Sequence, residues 1–126
     1  MDVALSAPLS ALDAFALSQQ VTANNLANVN SEDFRASGVT LEDVAGGGVA
    51  VQEVRETGAE PPLVPSMRLV EEQGGVAQQM VFAPGSSTDP AREMVDLMLN
   101  QRAFEANAAV VRAQEETVGL LLDISA

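Results

Sequence analysis

The sequence predicts a mainly α fold: long N- and C-terminal helices pair as an antiparallel coiled-coil-like hairpin, with a short central β-hairpin or extended loop region between them. Three observations carry this expectation. Apolar residues recur at alternating spacings of three and four near both ends of the chain, Gly and Pro cluster only between those ends, and a strong helix-start signal stands at Asp89-Pro90.

The first helix reads from the seam Leu5, Leu9, Leu12, Ala16, Gln19, Ala23 and Leu26. Pro8 is tolerated only in a first turn, so the regular helix is expected to begin near Ala7 or to carry an irregular start. Asn28 or Asn30 can adopt the left-handed conformation that closes it. From Ser31 to Ser87 the breaks AGGGVAV, ETGAEPPLVP, EQGGVAQQ and APGSS separate short apolar runs. Val49 to Val54 and Gly75 to Phe82 read as strands, the latter because Val76, Met80 and Phe82 share one parity. Met67 to Val70 is a third candidate, and Thr57 to Ser66 reads as an extended loop. Past Asp89, a seam of Met94, Leu97, Gln101, Phe104, Ala108, Val111, Glu115, Val118 and Leu122 runs without proline, with Gly119 its only weak point. About thirty helical residues span roughly 45 Å and need a partner of similar length, which the N-terminal helix supplies. The division expected is therefore a terminal helical domain, 1–36 with 88–126, and a small central insertion, 37–87.

Composition narrows the function. Eighteen acidic residues against six basic ones give a net charge of −12 over 126 residues, which argues against a phosphate-backbone partner. No apolar run reaches the roughly 18 residues of a membrane span. The sequence contains no Cys, His, Trp or Tyr, which removes thiolate chemistry and the commonest general base. No catalytic, cofactor-binding or metal site is expected, and no small-molecule substrate. The acidic cluster of Glu42, Asp43, Glu53, Glu56 and Glu60 lacks calcium-loop spacing and reads as solvated surface. The N-terminus has an acidic residue where a cleaved secretory signal would be basic.

The amides are the unusual feature. Asn24, Asn25, Asn28 and Asn30 crowd the end of the first helix although Asn is a poor helix-interior residue. Asp13 is the only charged residue between Val3 and Ser31, so the polar face of that helix is neutral. A neutral polar face suits contact with other protein surfaces, where unpaired charges are costly to bury. Amides in a helical seam set register by penalising pairings that leave them unsatisfied.

ANNLANVNSEDFRAS and EMVDLMLNQRAFEANAAVVRAQEETVGLLLDI together resemble the paired terminal motifs of the bacterial flagellar axial proteins, the rod and hook components. The first motif falls on Ala23, Asn24, Asn25, Ala27, Asn28, Ser31, Phe34 and Arg35; the second on Glu93 to Val95 and Gln101 to Asn107. Asp33 stands where the family usually has Gly, and Phe104 where it has Tyr. The short central zone looks most like that of a proximal rod protein.

The resemblance implies a non-enzymatic structural subunit of the basal-body rod, exported without a cleaved signal through the flagellar type III apparatus. It would self-assemble with homologous rod subunits, in the periplasm, into the helical drive shaft that transmits torque. The residues expected to pack the helices are Leu9, Leu12, Leu26, Met94, Leu97, Phe104, Val111, Val118 and Leu122. Those expected to set register are Asn24, Asn25, Asn28, Gln101 and Asn107. Two rivals are a small acidic type III export chaperone and a hydrolase using paired carboxylates, for which no pair of acids stands out.

Overall fold

A computed structural model describes residues 2–126, with side chains from residue 5 onward. Helix α1 (Asp2–Ala27) is followed by strands β1 (Ser37–Asp43), β2 (Val49–Glu56), β3 (Leu63–Glu72) and β4 (Gly75–Pro84), then by helix α2 (Pro90–Ser125). The expectation of a mainly α chain is overturned: strands of 7, 8, 10 and 10 residues stand beside helices of 26 and 36. The central zone is two antiparallel hairpins, not one hairpin with a loop. Each strand pairs with its neighbour in sequence, β1 with β2 and β3 with β4. Closing a short turn costs less chain entropy than joining the two distant candidate strands would.

In the first hairpin Val39 faces Val54 and Leu41 faces Val51, with a bulge between Thr40 and Leu41. Its turn carries three successive glycines at positive φ, Gly46, Gly47 and Gly48. Gly48 is also a point of close approach, because a Cβ there would lie 2.5 Å from Ser10 Oγ on α1. Ser10 Oγ accepts from the Val49 amide at 3.2 Å and donates to the Ala7 carbonyl at 2.8 Å, pinning the hairpin to the helix. The second hairpin runs in unbroken register from Leu63↔Pro84 to Glu72↔Gly75. Its strand β3 takes up part of the expected loop and contains Pro65, which a two-stranded ribbon accommodates because both strands are edges.

Helix α1 begins at Asp2, earlier than expected, so Pro8 lies inside it and removes one intrahelical N–H donor. Helix α2 begins at the expected place. Asp89 is its cap, in an extended conformation, accepting from the amides of Ala91 and Arg92 at 3.1 and 3.4 Å. The two helices lie against each other in antiparallel sense: Asn25 bonds Glu93, and one turn or two further along, Ser18 and Asn100 line the same cleft. At 1.5 Å per residue α1 is about 39 Å long and α2 about 54 Å, so α2 continues past the start of α1. Everything from Gly119 onward is exposed.

Between α1 and β1 the chain makes a tight passage over the base of the second hairpin. The amides of Asp33 and Phe34 donate to the carbonyls of Pro84 and Gly85 at 2.9 and 3.2 Å, and the Ser87 amide donates back to Phe34 at 2.9 Å. Asp33 has φ +53°, the left-handed region, and is the only non-glycine residue with positive φ among those described. The turn thus keeps the backbone that a glycine would adopt freely while using an aspartate, which tolerates it better than most side chains. Replacing Asp33 by Gly should leave stability within about 0.5 kcal/mol, whereas Asp33→Val should cost roughly 1–2 kcal/mol, the penalty for a branched residue in this region. Urea unfolding of both variants checks the pair.

Candidate functional site

The tightest point of the molecule is the junction where α1 ends and α2 begins. Asn25 is 1% exposed, the most buried side chain of its size. Its Nδ2 donates to the Ser37 carbonyl at 2.7 Å and to Glu93 Oε1 at 3.1 Å, while its Oδ1 accepts from the Ser37 amide at 2.9 Å. The side chain therefore pairs with Ser37 as a peptide group of an adjacent strand would. Thr88 Oγ1 donates to the Asn25 carbonyl at 3.1 Å. One residue before Ser37 and Thr88, the Ala36 amide donates to Ser87 Oγ at 2.8 Å, so both chain crossings are tied at adjacent positions. Few residues can do this work, since it takes a donor and an acceptor on one short side chain.

Glu93 sits 8% exposed on the other side of that amide. Burial raises its pKa above the ordinary carboxylate value, against the lowering effect of the Asn25 hydrogen bond; Asp96 and Asp89 push it up further and Arg92 down. A cleft of about 520 Å³ opens beside it, walled by α1 at Ser18, Val21 and Thr22, by β1 at Ser37 to Val39, and by α2 from Asp89 to Asn100. Its walls mix hydroxyl, amide and acidic groups with Val21, Val39 and Leu99. Among the described residues no group of His, Cys, Asp or Glu is placed to hold a metal ion, and no helix is long and apolar enough to cross a membrane.

Away from the junction, the helix pair is packed through its small and polar residues. Among the described side chains of α1 the buried ones are Pro8, Ala11, Ala14, Ser18, Thr22 and Asn25. On α2 the inward positions alternate apolar and polar: Glu93, Leu97, Asn100, Phe104, Asn107, Val111, Gln114 and Val118 are buried or half-buried. Meanwhile Met94, Val95, Met98, Leu99, Val110, Leu120, Leu121, Leu122 and Ile124 are between 47% and 74% exposed. These nine large apolar side chains of α2 thus point away from the helix it packs on.

The expected packing residues divide accordingly. Leu12, Leu26, Leu97, Phe104, Val111 and Val118 are half-buried, whereas Leu9, Met94 and Leu122 are exposed. Among the register amides, Asn25 alone bridges separate elements. Asn28 donates to the Asn24 carbonyl at 2.9 Å, Gln101 to Glu105 at 3.2 Å and Asn107 to the Ala103 carbonyl at 2.8 Å, all within one helical turn. Asn24 and Gln101 are exposed. Sequence reasoning missed Glu93, Asn100 and Gln114 as inward positions, although they recur with Asn107 at intervals of seven. Gln114 Oε1 is buried without a hydrogen-bond partner among the described residues.

Two variants test the junction. Asn25→Ala should cost roughly 2–4 kcal/mol, because it strands the Ser37 amide and carbonyl and leaves Glu93 without its donor. Glu93→Gln keeps an acceptor for Asn25 but removes the buried charge. A native pKa raised above the unfolded one stabilises the fold at pH below the ordinary carboxylate value, and that contribution is lost as pH rises through the native value. Glu93→Gln should therefore be more stable than the wild type at pH 7, with the advantage shrinking as pH falls towards 4; denaturant midpoints of the two proteins across this range measure it.

Two family profiles match this chain. The family described as "Flagella basal body rod protein" matches residues 1–35, which hold α1 and the passage through Phe34, and the one described as "Flagellar basal body rod FlgEFG protein C-terminal" matches residues 82–124, from the end of β4 through α2. Together they take in both helices and, of the junction, Asn25, Ser87, Thr88 and Glu93 but not Ala36 or Ser37. Comparison with curated proteins gives no match.

Proposed function

The chain belongs to the flagellar basal body rod protein family, and from that membership we propose that it is a structural rod subunit which self-assembles through its terminal helices into the torque-bearing shaft. One observation supports this reading above the others: Leu97, Phe104, Val111 and Val118 face α1, yet Met94, Val95, Met98, Leu99, Val110, Leu120, Leu121, Leu122 and Ile124 of the same helix are left facing outward. A soluble monomer gains nothing from that arrangement, since a Leu or Met buried elsewhere would contribute about 1.5–3 kcal/mol. A subunit packed on all sides by neighbours gains at every one of them.

The assembling part is 1–36 with 88–126, and 37–87 is an insertion carried on it. The portion of α2 beyond α1, with Leu120, Leu121, Leu122 and Ile124 all more than half exposed, is the strongest candidate for helix-to-helix contact between subunits. Leu9 and Met94 extend that surface onto both helices. Within the subunit, Leu12, Leu26, Leu97, Phe104, Val111 and Val118 pack the pair that presents it. The amides Asn24, Asn28 and Gln101 have only local partners among the described residues, so they can take cross-subunit hydrogen bonds without breaking the subunit. A heterologous contact that does not close generates a helical tube, and torque is then shared among many side-by-side helices. The limited central insertion favours a proximal position in the rod. Export through the flagellar type III apparatus to the periplasmic rod accompanies this reading, and its partners there are homologous axial subunits.

Leu121→Glu should separate folding from assembly. Because Leu121 is 56% exposed, the isolated variant should unfold within about 0.5 kcal/mol of wild type. In cells it should fail to co-purify with basal bodies, and motility should be lost. Normal incorporation of this variant, or absence of the wild type from purified basal bodies, counts against the proposal.

A further inference from the structure

The second hairpin is left out of the subunit's own packing. Among the described residues, β3 and β4 contact one another but neither helix and neither strand of the first hairpin. They are held at the base, where the Asp33 amide donates to the Pro84 carbonyl at 2.9 Å and the Gly85 amide to the Pro62 carbonyl at 2.8 Å, and by Ser66 and Arg68 of β3 reaching Glu32, the latter at 3.4 Å. A two-stranded ribbon alone in water is marginally stable at best.

Its two faces differ. Because Leu63 pairs with Pro84, Pro65 with Phe82, Met67 with Met80 and Leu69 with Gln78, these side chains share one face, together with Val76 opposite Glu71. On that face Leu63, Met67, Leu69, Val76, Met80 and Phe82 are 58% to 71% exposed. The opposite face holds the half-buried Val64, Val70, Ala77 and Val81 and the buried Ala83. Six large apolar side chains open to this degree amount to roughly 700 Å², close to the ~800 Å² that each partner gives to a standard interface. In a chain of net charge −12, this is a surface from which charge has been withdrawn except at the turn.

We propose that this hairpin face packs on the outward Val95–Met98–Leu99 surface of α2 in a second copy of the chain. This rests on the rod reading above and names a contact within it. Three considerations fix the occupant. Both surfaces are apolar, so two strongly acidic chains can approach there without bringing carboxylates together. Val95, Met98 and Leu99, with Met94, are 54% to 59% exposed and untouched by any strand of their own subunit. A face that packed on its own image would make a closed two-fold pair, which ends growth, whereas a hairpin on a helix repeats in one direction.

The chain contains no cysteine, so single-cysteine variants report one contact each. Met80→Cys and Leu99→Cys, both at exposed positions, are purified as full-length protein, mixed at high concentration and oxidised with diamide. The mixture should give a disulfide-linked pair at least tenfold more abundant than either variant alone, and more than a control mixture of Met80→Cys with Glu53→Cys. A linked pair from Met80→Cys alone at the level of the mixture would show the hairpin meeting itself and overturn the proposal; a mixture no better than the control would overturn it too. Co-purification of the wild type with basal bodies is scored separately, so that a rod subunit lacking this cross-link sinks the docking and leaves the rod reading standing.

Discussion

The side chain of Asn25 is what the rest of the subunit hangs on. It joins the last turn of α1 to the first residue of β1 and to the first turn of α2, and it does so from a position that water hardly reaches. An amide is suited to this because it presents a donor and an acceptor in one plane, matching both groups of the Ser37 peptide. The second hydrogen of its Nδ2 is then free for Glu93. An aspartate there would set two carboxylates against each other, and a leucine would leave a peptide group unsatisfied. The poor helix propensity of Asn matters little at this site, where α1 is about to end.

From that junction the two helices diverge in what they bury. The inner face of α1 is built mostly from alanine, serine and threonine, small side chains that accept the short amides of α2 alongside Leu97, Phe104, Val111 and Val118. Such a seam is weak by the standards of a self-contained domain. Alanine contributes little area, and each buried amide returns only a modest net gain for its hydrogen bond. The stronger apolar surface lies outside, along α2 and on the second hairpin.

The hairpins stand at different levels of integration. The first is seated on α1 through Ser10 and the close approach of Gly48, while the second is tethered at its base. The family profiles match 1–35 and 82–124, so most of both hairpins falls between the matched segments. What the chain shares with the family profiles is therefore its helices and the passage through Phe34.

Much of this was legible in the residues. Asp89-Pro90 marked the start of α2 because a capping carboxylate and a fixed φ act locally, and the asparagine cluster marked the end of α1 for the same reason. The strand β4 showed in its parity, and β2 as a short apolar run beyond a Gly-rich break. The terminal motifs pointed to the rod family before any contact was known. What tertiary structure alone decided was the rotation of α2 and the pairing of the strands. Leu97, Phe104, Val111 and Val118 belong equally to a seam completed by Met94, Gln101, Ala108 and Glu115 and to one completed by Glu93, Asn100, Asn107 and Gln114, and periodicity cannot choose between them. The small inner face of α1 and the bond from Asn25 to Glu93 choose the second, which turns the methionines and leucines outward. Likewise β1 is too polar to declare itself, and β3, interrupted by proline, showed only at Met67 to Val70; both are strands because β2 and β4 offer each a row of backbone partners across a short turn.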